Sequence, residues 1–278
     1  MTIVTISRFT HSGGDTLAGC LAERLGIPSI SREVLKEVAA QFGITESLLK
    51  EQLEKTQGFI HGPSPERRVY LAALQLALAE KALQGPFIYH GHAGQLLLKG
   101  VPQILKVGIV ASLQSRARKL AEKEKISLEE AKKSIEQSDE ARIKWVRFLY
   151  DVYWLDPSLY DLVINIEFIG LDTACDLIAF TLGQEQFKEK PENQALVEDF
   201  VLASRVKFQL ALHERTKGLE LEVEAQKGVL KISGKIVTGG FFSRGRKTTN
   251  NDIVEVAQKV PGVKQVLIGL EEFSVPLE

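Results

Sequence analysis

Residues 7–16, SRFTHSGGDT, are the stretch whose residue types and spacing best suit the binding of a ligand. They follow a β-branched run, TIVTI, and lead into a helical pattern, LAGCLAERLG. Strand, glycine-rich turn and helix form the arrangement in which backbone N–H groups and a helix dipole hold phosphate. Against the pattern Gly, four residues, Gly-Lys-Ser/Thr, this stretch has Phe9 for the first glycine and Asp15 for the lysine. The backbone part of such a site survives in three consecutive residues, which are Ser12, Gly13 and Gly14.

Asp15 leaves two interpretations of this loop open. In the first, Ser12 is an N-cap, Asp15 completes a capping box three residues later, and the loop binds nothing. In the second, the backbone amides bind phosphate and Thr16 offers its hydroxyl to Mg²⁺. A carboxylate ~4 Å from a phosphate charge would cost roughly 4 kcal/mol at an effective dielectric of about 20. Asp15 must then point away from the phosphate, bind a metal ion that bridges to it, or prevent a triphosphate from binding. Arg8 is a candidate replacement for the missing lysine cation.

The composition excludes several classes of protein. Of 278 residues, 44% are hydrophobic and 26% charged, as in a soluble globular protein, and the net charge is −1. No global field favours a nucleic acid partner. No leader and no run of about 18 apolar residues is recognisable, so we expect a cytoplasmic protein without a membrane span. Cys20 and Cys175 lie on apolar helical patterns, which predicts buried free thiols.

The elements that must position the loop alternate between strand and helix. This alternation predicts an α/β domain over residues 1–187, in which helices flank a parallel sheet. A polar linker, EQFKEKPENQ, precedes a change of pattern, so we predict a small α+β domain over 188–278. The predicted strands of the first domain are 2–6, 27–30, 86–91, 103–111 and 160–166. Its predicted helices are 16–25, 31–43, 45–55, 65–83, 92–98, 112–123, 127–149 and 171–184. The second domain is predicted as helix 194–213, strands 219–225 and 229–237, helix 251–260 and strand 263–273.

The first domain resembles the cytidylate kinase-like family of P-loop nucleoside monophosphate kinases. SRFTHSGGD keeps the family's Ser-Arg and Ser-Gly-Gly but departs from it at His11 and Asp15. GHAGQLLL resembles the family's glycine-rich turn near the monophosphate, and SRARKLAEKEKISLEEAKKSIEQSDEARIKW resembles its arginine-bearing lid region. YDLVINIEFIGLDTACDLI resembles its last strand and helix, so the resemblance covers about residues 1–182.

This resemblance implies site residues as well as a fold. It assigns a catalytic lid arginine to Arg142 and the family's basic pair to Arg116 and Arg118. Helical spacing adds Asp139, one turn before Arg142, as the ion-pair partner of Arg142. It assigns acceptor binding to the turn at Gly91 and His92, although His92 and Ala93 stand where cytidylate kinases carry an Arg-Asp pair that recognises the substrate. Arg67, which follows GPSPE beside Arg68, is a further candidate for binding the acceptor phosphate. The alternative for these arginines is a solvated helix face, and for Arg67 and Arg68 the surface start of a helix.

Two further groups of side chains keep alternatives open. His90 and His92 lie two residues apart at a strand end and would face the same way, as metal ligands or as contacts to a base. We expect five aromatic residues to pack the lid region against the core; they are Trp145, Phe148, Tyr150, Tyr153 and Trp154.

The second domain resembles the BON domain, through LELEVEAQKGVLKISGKIV and VAQKVPGVKQVLIGLEEF, over about residues 193–273. That resemblance implies contact with phospholipid or with another protein. The loop TGGFFSRGRKTTNN carries Phe241 and Phe242 beside basic residues, which suits either a membrane-surface contact or an ordinary flexible loop.

Together these features predict a nucleotide-binding protein that uses ATP and Mg²⁺. Ser12, Gly13, Gly14 and Thr16 would hold the phosphates while a phosphoryl group passes to a nucleoside monophosphate. The alternative is a catalytically inactive kinase fold that senses a nucleotide or mediates assembly through its BON-like domain. A purely structural scaffold is a third hypothesis. A homodimer is compatible with the apolar helix faces of both domains.

Overall fold

The description of the fold rests on a computed structural model. The residues it describes are 2–31, 33–34, 64–91, 93–188, 190–238 and 246–274. Its strands are β1 Ile3–Arg8, β2 Ser29–Ile30, β3 Phe87–His90, β4 Ile104–Val110, β5 Leu162–Asn165, β6 Glu220–Gln226, β7 Val229–Thr238 and β8 Gln265–Ser274. Its helices are α1 Gly14–Leu25, α2 Pro65–Gln84, α3 Gly94–Leu97, α4 Leu113–Glu124, α5 Leu128–Tyr150, α6 Leu171–Leu182, α7 Glu192–Leu212 and α8 Arg246–Gln258.

The chain divides into two compact units. Among the described residues, the first unit comprises 2–34 and 84–190, and the second comprises 64–83 and 191–274. These units differ from the predicted segments chiefly because 64–83, which includes nearly all of α2, groups with the C-terminal residues. The assignment of 1–187 and 188–278 as two domains stays a prediction.

A five-stranded parallel sheet lies at the centre of the first unit, in the order β2-β3-β1-β4-β5. Ile3 of β1 pairs with Phe87 on one side and with Ile104 on the other. Because the strand order reverses at β1, the loops that follow β1 and β3 border the crevice where open parallel sheets bind ligands.

The core of this unit fixes α1 against the sheet. Leu17, Ala18 and Leu21 of α1 are fully buried, at the spacing that gives a helix one apolar face. They share a core with Cys175 and Ile178 of α6. Cys20 and Cys175 are both free thiols, as predicted, but only Cys175 is buried and Cys20 is partly exposed.

Helices α4 and α5 form a hairpin that reaches back towards the loop after β1. The start of α5 is fixed by a capping box, in which Ser127 accepts from the backbone of Glu130 while Glu130 accepts from the backbone of Ser127. The two helices share a small core of Ala117, Leu120, Ala131 and Ile135. This packing sets the register between Arg116 of α4 and Asp139 of α5.

The second unit contains a three-stranded sheet in the order β6-β7-β8. Strands β6 and β7 are antiparallel and joined by a turn at Lys227 and Gly228, and β8 returns parallel to β7 after α8. Leu221 of β6 is buried while Glu222 and Glu224 are exposed, which confirms the predicted half-solvated strand.

The expected α/β fold class, with a parallel sheet flanked by helices and a small separate sheet near the C-terminus, is confirmed. Most of the predicted helix 31–43, all of the predicted helix 45–55, and Phe241 and Phe242 of the aromatic loop lie outside the described residues. Within the described part of the chain, no helix is both long and apolar enough to cross a membrane.

Candidate functional site

The loop after β1 turns sharply into α1. His11 has a φ of 60° and Gly13 a φ of 84°, and Gly13 is the N-cap residue of α1. Ser12 is buried, and its hydroxyl donates to the carbonyl of Phe9 at 2.9 Å. The capping-box interpretation of Ser12 and Asp15 is therefore wrong, because the left-handed turn moves the N-cap to a glycine, which supplies no side-chain cap. The first N–H groups of α1 have no partner within the helix.

Asp15 forms an ion pair with Arg8. The Arg8 guanidinium donates to Oδ1 of Asp15, and Nδ1 of His90 lies 3.0 Å from the same oxygen. The Arg8 side chain lies across Gly14, where the Cβ of any larger residue would overlap Cδ of Arg8. Burial by itself raises the pKa of Asp15, but the hydrogen bond and charge of Arg8, helped by His90, hold it below its ordinary value. The carboxylate at the lysine position is thus matched by a cation.

Arg116 holds the backbone of the loop from the other side. Its guanidinium donates to the carbonyls of Thr10 and Ala111, both at 3.2 Å, and to Oδ2 of Asp139 at 2.6 Å. Oδ1 of Asp139 accepts from the Thr10 amide at 3.1 Å. Both side chains are nearly inaccessible, with 7% and 11% exposed. Arg116 is therefore not on a solvated helix face, and Asp139 pairs with Arg116 where the sequence suggested Arg142.

Arg142 and Arg118 differ in their surroundings. The Arg142 guanidinium donates to the carbonyl of Arg8 and lies 5.5 Å from the ring centroid of Trp154. Arg118 is exposed on α4, as expected of a solvated helix face. Thr16 is exposed in the first turn of α1, where its hydroxyl is accessible to a ligand.

A small pocket opens beside the loop, at the carboxyl ends of β1 and β3. It contains two of the arginine and glycine positions singled out from the sequence, Arg142 and Gly91, together with Arg8. The full lining is Ser7, Arg8, Gly91, Ala93, Gln95, Arg142, Val146 and Trp154.

A partly buried chain of hydrogen bonds joins three residues that line this pocket, Ser7, Gln95 and Trp154. Ser7 donates to Gln95 at 2.6 Å, Gln95 donates to the Tyr160 hydroxyl at 3.1 Å, and Tyr160 donates to the Trp154 carbonyl at 2.7 Å. Burial raises the pKa of Tyr160 to about 12, so this hydroxyl stays a donor at neutral pH. Sequence reasoning missed Gln95 and Tyr160; the only available signal was the position of Gln95 just after the glycine-rich turn.

The aromatic residues follow the packing prediction only in part. The Trp154 ring meets Phe9 edge to face at 5.3 Å and is 5% exposed, so it does pack against the loop. Tyr153 is 54% exposed, and its predicted packing is wrong because it lies on the solvent side of the turn after α5.

Two predicted acceptor residues are not among the described residues that line the pocket. His92 lies outside the described residues. Arg67 belongs to the second unit and is buried, which lowers its pKa and contradicts the surface alternative. Arg68 of the same unit donates to the Gly218 carbonyl at 2.8 Å and to Glu220 at 3.1 Å.

Comparison with known proteins decides the family. The model of the cytidylate kinase-like family matches residues 3–167, which is more than half of the chain and includes the loop, the pocket and the α4–α5 hairpin. The chain belongs to this family. A cytidylate kinase of Ignicoccus hospitalis is 28% identical over 181 residues, covering 64% of this chain and 97% of that protein. A cytidylate kinase of Methanothrix thermoacetophila is 32% identical over 165 residues, covering 59% of this chain and 87% of that protein.

A solved structure shares the fold of this family member. It is an uncharacterized protein from Eubacterium ventriosum with a TM-score of 0.51 and 25% identity, and the match covers 65% of this chain and 97% of that one. Family membership supports a nucleotide-binding, kinase-like function for the first unit. The family match ends before α7 and the β6-β7-β8 sheet, so it carries no information about them.

Proposed function

We propose that this chain is a nucleoside monophosphate kinase that transfers a phosphoryl group from ATP, with Mg²⁺, to a cytidylate-like acceptor. The observation that carries the proposal is a glycine N-cap at the mouth of α1 beside a pocket lined by Arg8 and Arg142. Phosphoryl transfer needs positioning and neutralisation of charge more than it needs a nucleophilic side chain. Backbone amides and guanidinium groups supply both.

The residues of the loop fit a bound nucleoside triphosphate. Gly13 and Gly14 have no side chains that could cover the first N–H groups of α1, and buried Ser12 stabilises the turn through its hydrogen bond to the Phe9 carbonyl. The exposed Thr16 hydroxyl can bind the Mg²⁺ that accompanies the phosphates. When bound, ATP supplies the phosphoryl group. The Arg8 cation next to Asp15 removes the main electrostatic objection to an anion at this loop.

The arginines have separate roles in this proposal. Arg142 borders the pocket and would neutralise charge on the phosphoryl group as it moves. Arg116 is buried and acts through the backbone of the loop, so it positions rather than contacts the substrate. Arg118 is exposed and would assist only at the edge of the site. Gly91 lets the backbone approach the acceptor, and the nearby His92 is a further candidate contact.

Titration calorimetry with ATP, ADP, CMP and dCMP, with and without Mg²⁺, together with an assay for ADP release, tests the proposal. We expect binding of ATP and turnover with CMP or dCMP. Arg142→Gln should reduce turnover at least 10-fold, since a charged hydrogen bond is worth about 1.5–3 kcal/mol. Arg147→Gln, on an exposed position of the same helix α5, is the matched control and should leave turnover unchanged. Absence of nucleotide binding would refute the proposal.

A second candidate is a nucleotide sensor without catalysis, in which the C-terminal residues make the functional contact. It is favoured by one observation: Phe9 and Asp15 stand at two fixed positions of the phosphate-loop pattern. In the calorimetry above, this candidate gives binding without ADP release. It would also assign residues 188–278 to a BON-like domain.

The BON-like domain would contact a lipid surface or a second protein, and a homodimer is one form of such contact. Sedimentation with vesicles of anionic phospholipid tests the lipid contact, and Phe241→Ala with Phe242→Ala should abolish it. Light scattering after size exclusion tests the homodimer. A protein that is monomeric and does not sediment with the vesicles would remove support for both contacts.

A further inference from the structure

We propose that Arg8 is the phosphate-binding cation of this site in place of the missing lysine, and that Asp15 positions it. This inference rests on the proposed function, because it concerns the same loop and the same phosphorylated ligand. It assigns phosphate binding to Arg8, a residue of a strand. Asp15 then holds the Arg8 side chain in place, and its charge no longer repels the phosphate.

The first step of the argument is where the Arg8 side chain lies. Arg8 is the last residue of β1, and its side chain crosses the first residue of α1, Gly14. A Cβ at position 14 would overlap Cδ of Arg8, so only glycine leaves this path open. The guanidinium is thereby held at the N-terminal turn of α1, beside the amides that would bind phosphate. The lysine of the usual pattern reaches the same region from the helix itself.

The second step concerns the charge around the pocket. Arg8 and Arg142 both line it, and among the described residues that line it none carries a carboxylate. Trp154 lines the same pocket and is 5% exposed, and its indole Nε1 has no hydrogen-bond partner in the described part of the chain. Buried N–H groups are rarely left without an acceptor. The two arginines favour a ligand that carries an oxyanion, and the buried indole N–H is an unpaired donor of a residue that lines the same pocket.

The third step explains how Arg8 can serve two partners. A guanidinium has five N–H donors in a rigid fork, and its bond to Asp15 uses only part of them. Nδ1 of His90 lies 3.0 Å from the same Asp15 oxygen, so the carboxylate is held from two sides. Asp15 can therefore fix the fork while the remaining N–H groups face a phosphate. No opening of the ion pair is needed before the ligand binds.

A double-mutant cycle on ATP affinity tests this arrangement, with Mg²⁺ present and inorganic tripolyphosphate as a probe without the nucleoside. Arg8→Gln should weaken the binding of both probes about 10- to 100-fold, and Arg8→Lys should recover part of the loss. Asp15→Asn should weaken binding about 3-fold or more in the parent, because the guanidinium loses its anchor. In the Arg8→Gln background the same change should strengthen binding, because only repulsion remains.

The controls separate this inference from the proposed function. The control is Arg24→Gln. Arg24 lies on α1, as Asp15 does, and forms an exposed ion pair with Asp176 of α6, so its loss should leave ATP affinity unchanged. Unfolding followed by tryptophan fluorescence verifies that each variant is folded. If the parent binds neither probe, the proposed function and this inference both fail. If the parent binds but Arg8→Gln binds equally well, or Asp15→Asn strengthens binding in the parent, the inference alone is refuted.

Discussion

The ion pair between Arg116 and Asp139 should be the most costly single contact to break in the first unit. Its N–O distance is 2.6 Å, and both side chains are nearly inaccessible. Asp139→Asn keeps the size of the side chain and an oxygen for the Thr10 amide. It replaces the other oxygen by an NH₂ group that faces the Arg116 guanidinium, so two donors meet and the cation loses its counter-charge.

The magnitude follows from burial. Removing one partner of a buried pair typically costs about 3–5 kcal/mol, because the remaining charge is left without compensation. The lower end applies to Asp139→Asn, since Arg116 keeps its bonds to the Thr10 and Ala111 carbonyls. For a unit of this size each kcal/mol shifts the melting temperature by about 2–4 °C. We therefore expect a loss of about 3 kcal/mol and a melting temperature lowered by roughly 6–12 °C.

Tryptophan fluorescence during urea or thermal unfolding measures this loss. The chain has two tryptophans, Trp145 and Trp154, and both lie in the first unit, so the signal reports on that unit. Glu140→Gln is the matched control, because this neighbouring residue of α5 forms an exposed pair with Lys144 that should contribute less than about 0.5 kcal/mol. An Asp139→Asn variant as stable as this control would refute the argument that the pair anchors the loop.

Three further predictions concern glycines and a tyrosine. Gly14→Ala should displace Arg8 and weaken ATP binding about 10-fold, with a change in unfolding free energy of no more than about 1 kcal/mol, measured by calorimetry and urea titration. Gly234→Ala would bring its Cβ onto the Glu220 carbonyl of the neighbouring strand, so it should destabilise the second unit by about 1–3 kcal/mol in circular dichroism melts. The pKa of Tyr160 is raised by burial to about 12, so stability is lost as pH rises from about 10 through 12. At pH 11 the parent should lose about 1.4 kcal/mol more than Tyr160→Phe in urea titrations, relative to pH 9.

The sequence was sufficient to locate the loop because the signals for its two flanking elements are local. A β-branched run predicted the strand that is β1, and an apolar stripe with a closing glycine predicted α1, which ends at the C-cap Gly26. The order of strand and helix beyond the loop followed from the same periodicities. Helix α7 and the alternation in β6 were equally readable.

Partners distant in the chain could not be predicted in this way. Helical spacing suggested Arg142 for Asp139, but the actual partner, Arg116, lies 23 residues away and is brought near by the packing of α4 on α5. The N-cap was misplaced by one residue because the turn uses left-handed backbone at His11 and Gly13, which no side-chain pattern indicates. Gln95 and Tyr160 were missed for the same reason, since their hydrogen bond joins segments 65 residues apart.

The two residues that break the phosphate-loop pattern each contact an arginine. Phe9 stands at the first glycine position, and its ring lies 4.7 Å from the Arg116 guanidinium and 5.3 Å from the Trp154 ring. Asp15 stands at the lysine position and pairs with Arg8. Each departure is therefore accommodated by an arginine that the chain shares with the family pattern: Phe9 packs on Arg116, and Asp15 is neutralised by Arg8. In this account, packing of Phe9 holds the loop and Arg8 compensates the charge of Asp15. Phe9→Gly should then loosen the loop and weaken ATP binding, although it restores the usual residue. Tighter binding by Phe9→Gly in calorimetry would contradict this account.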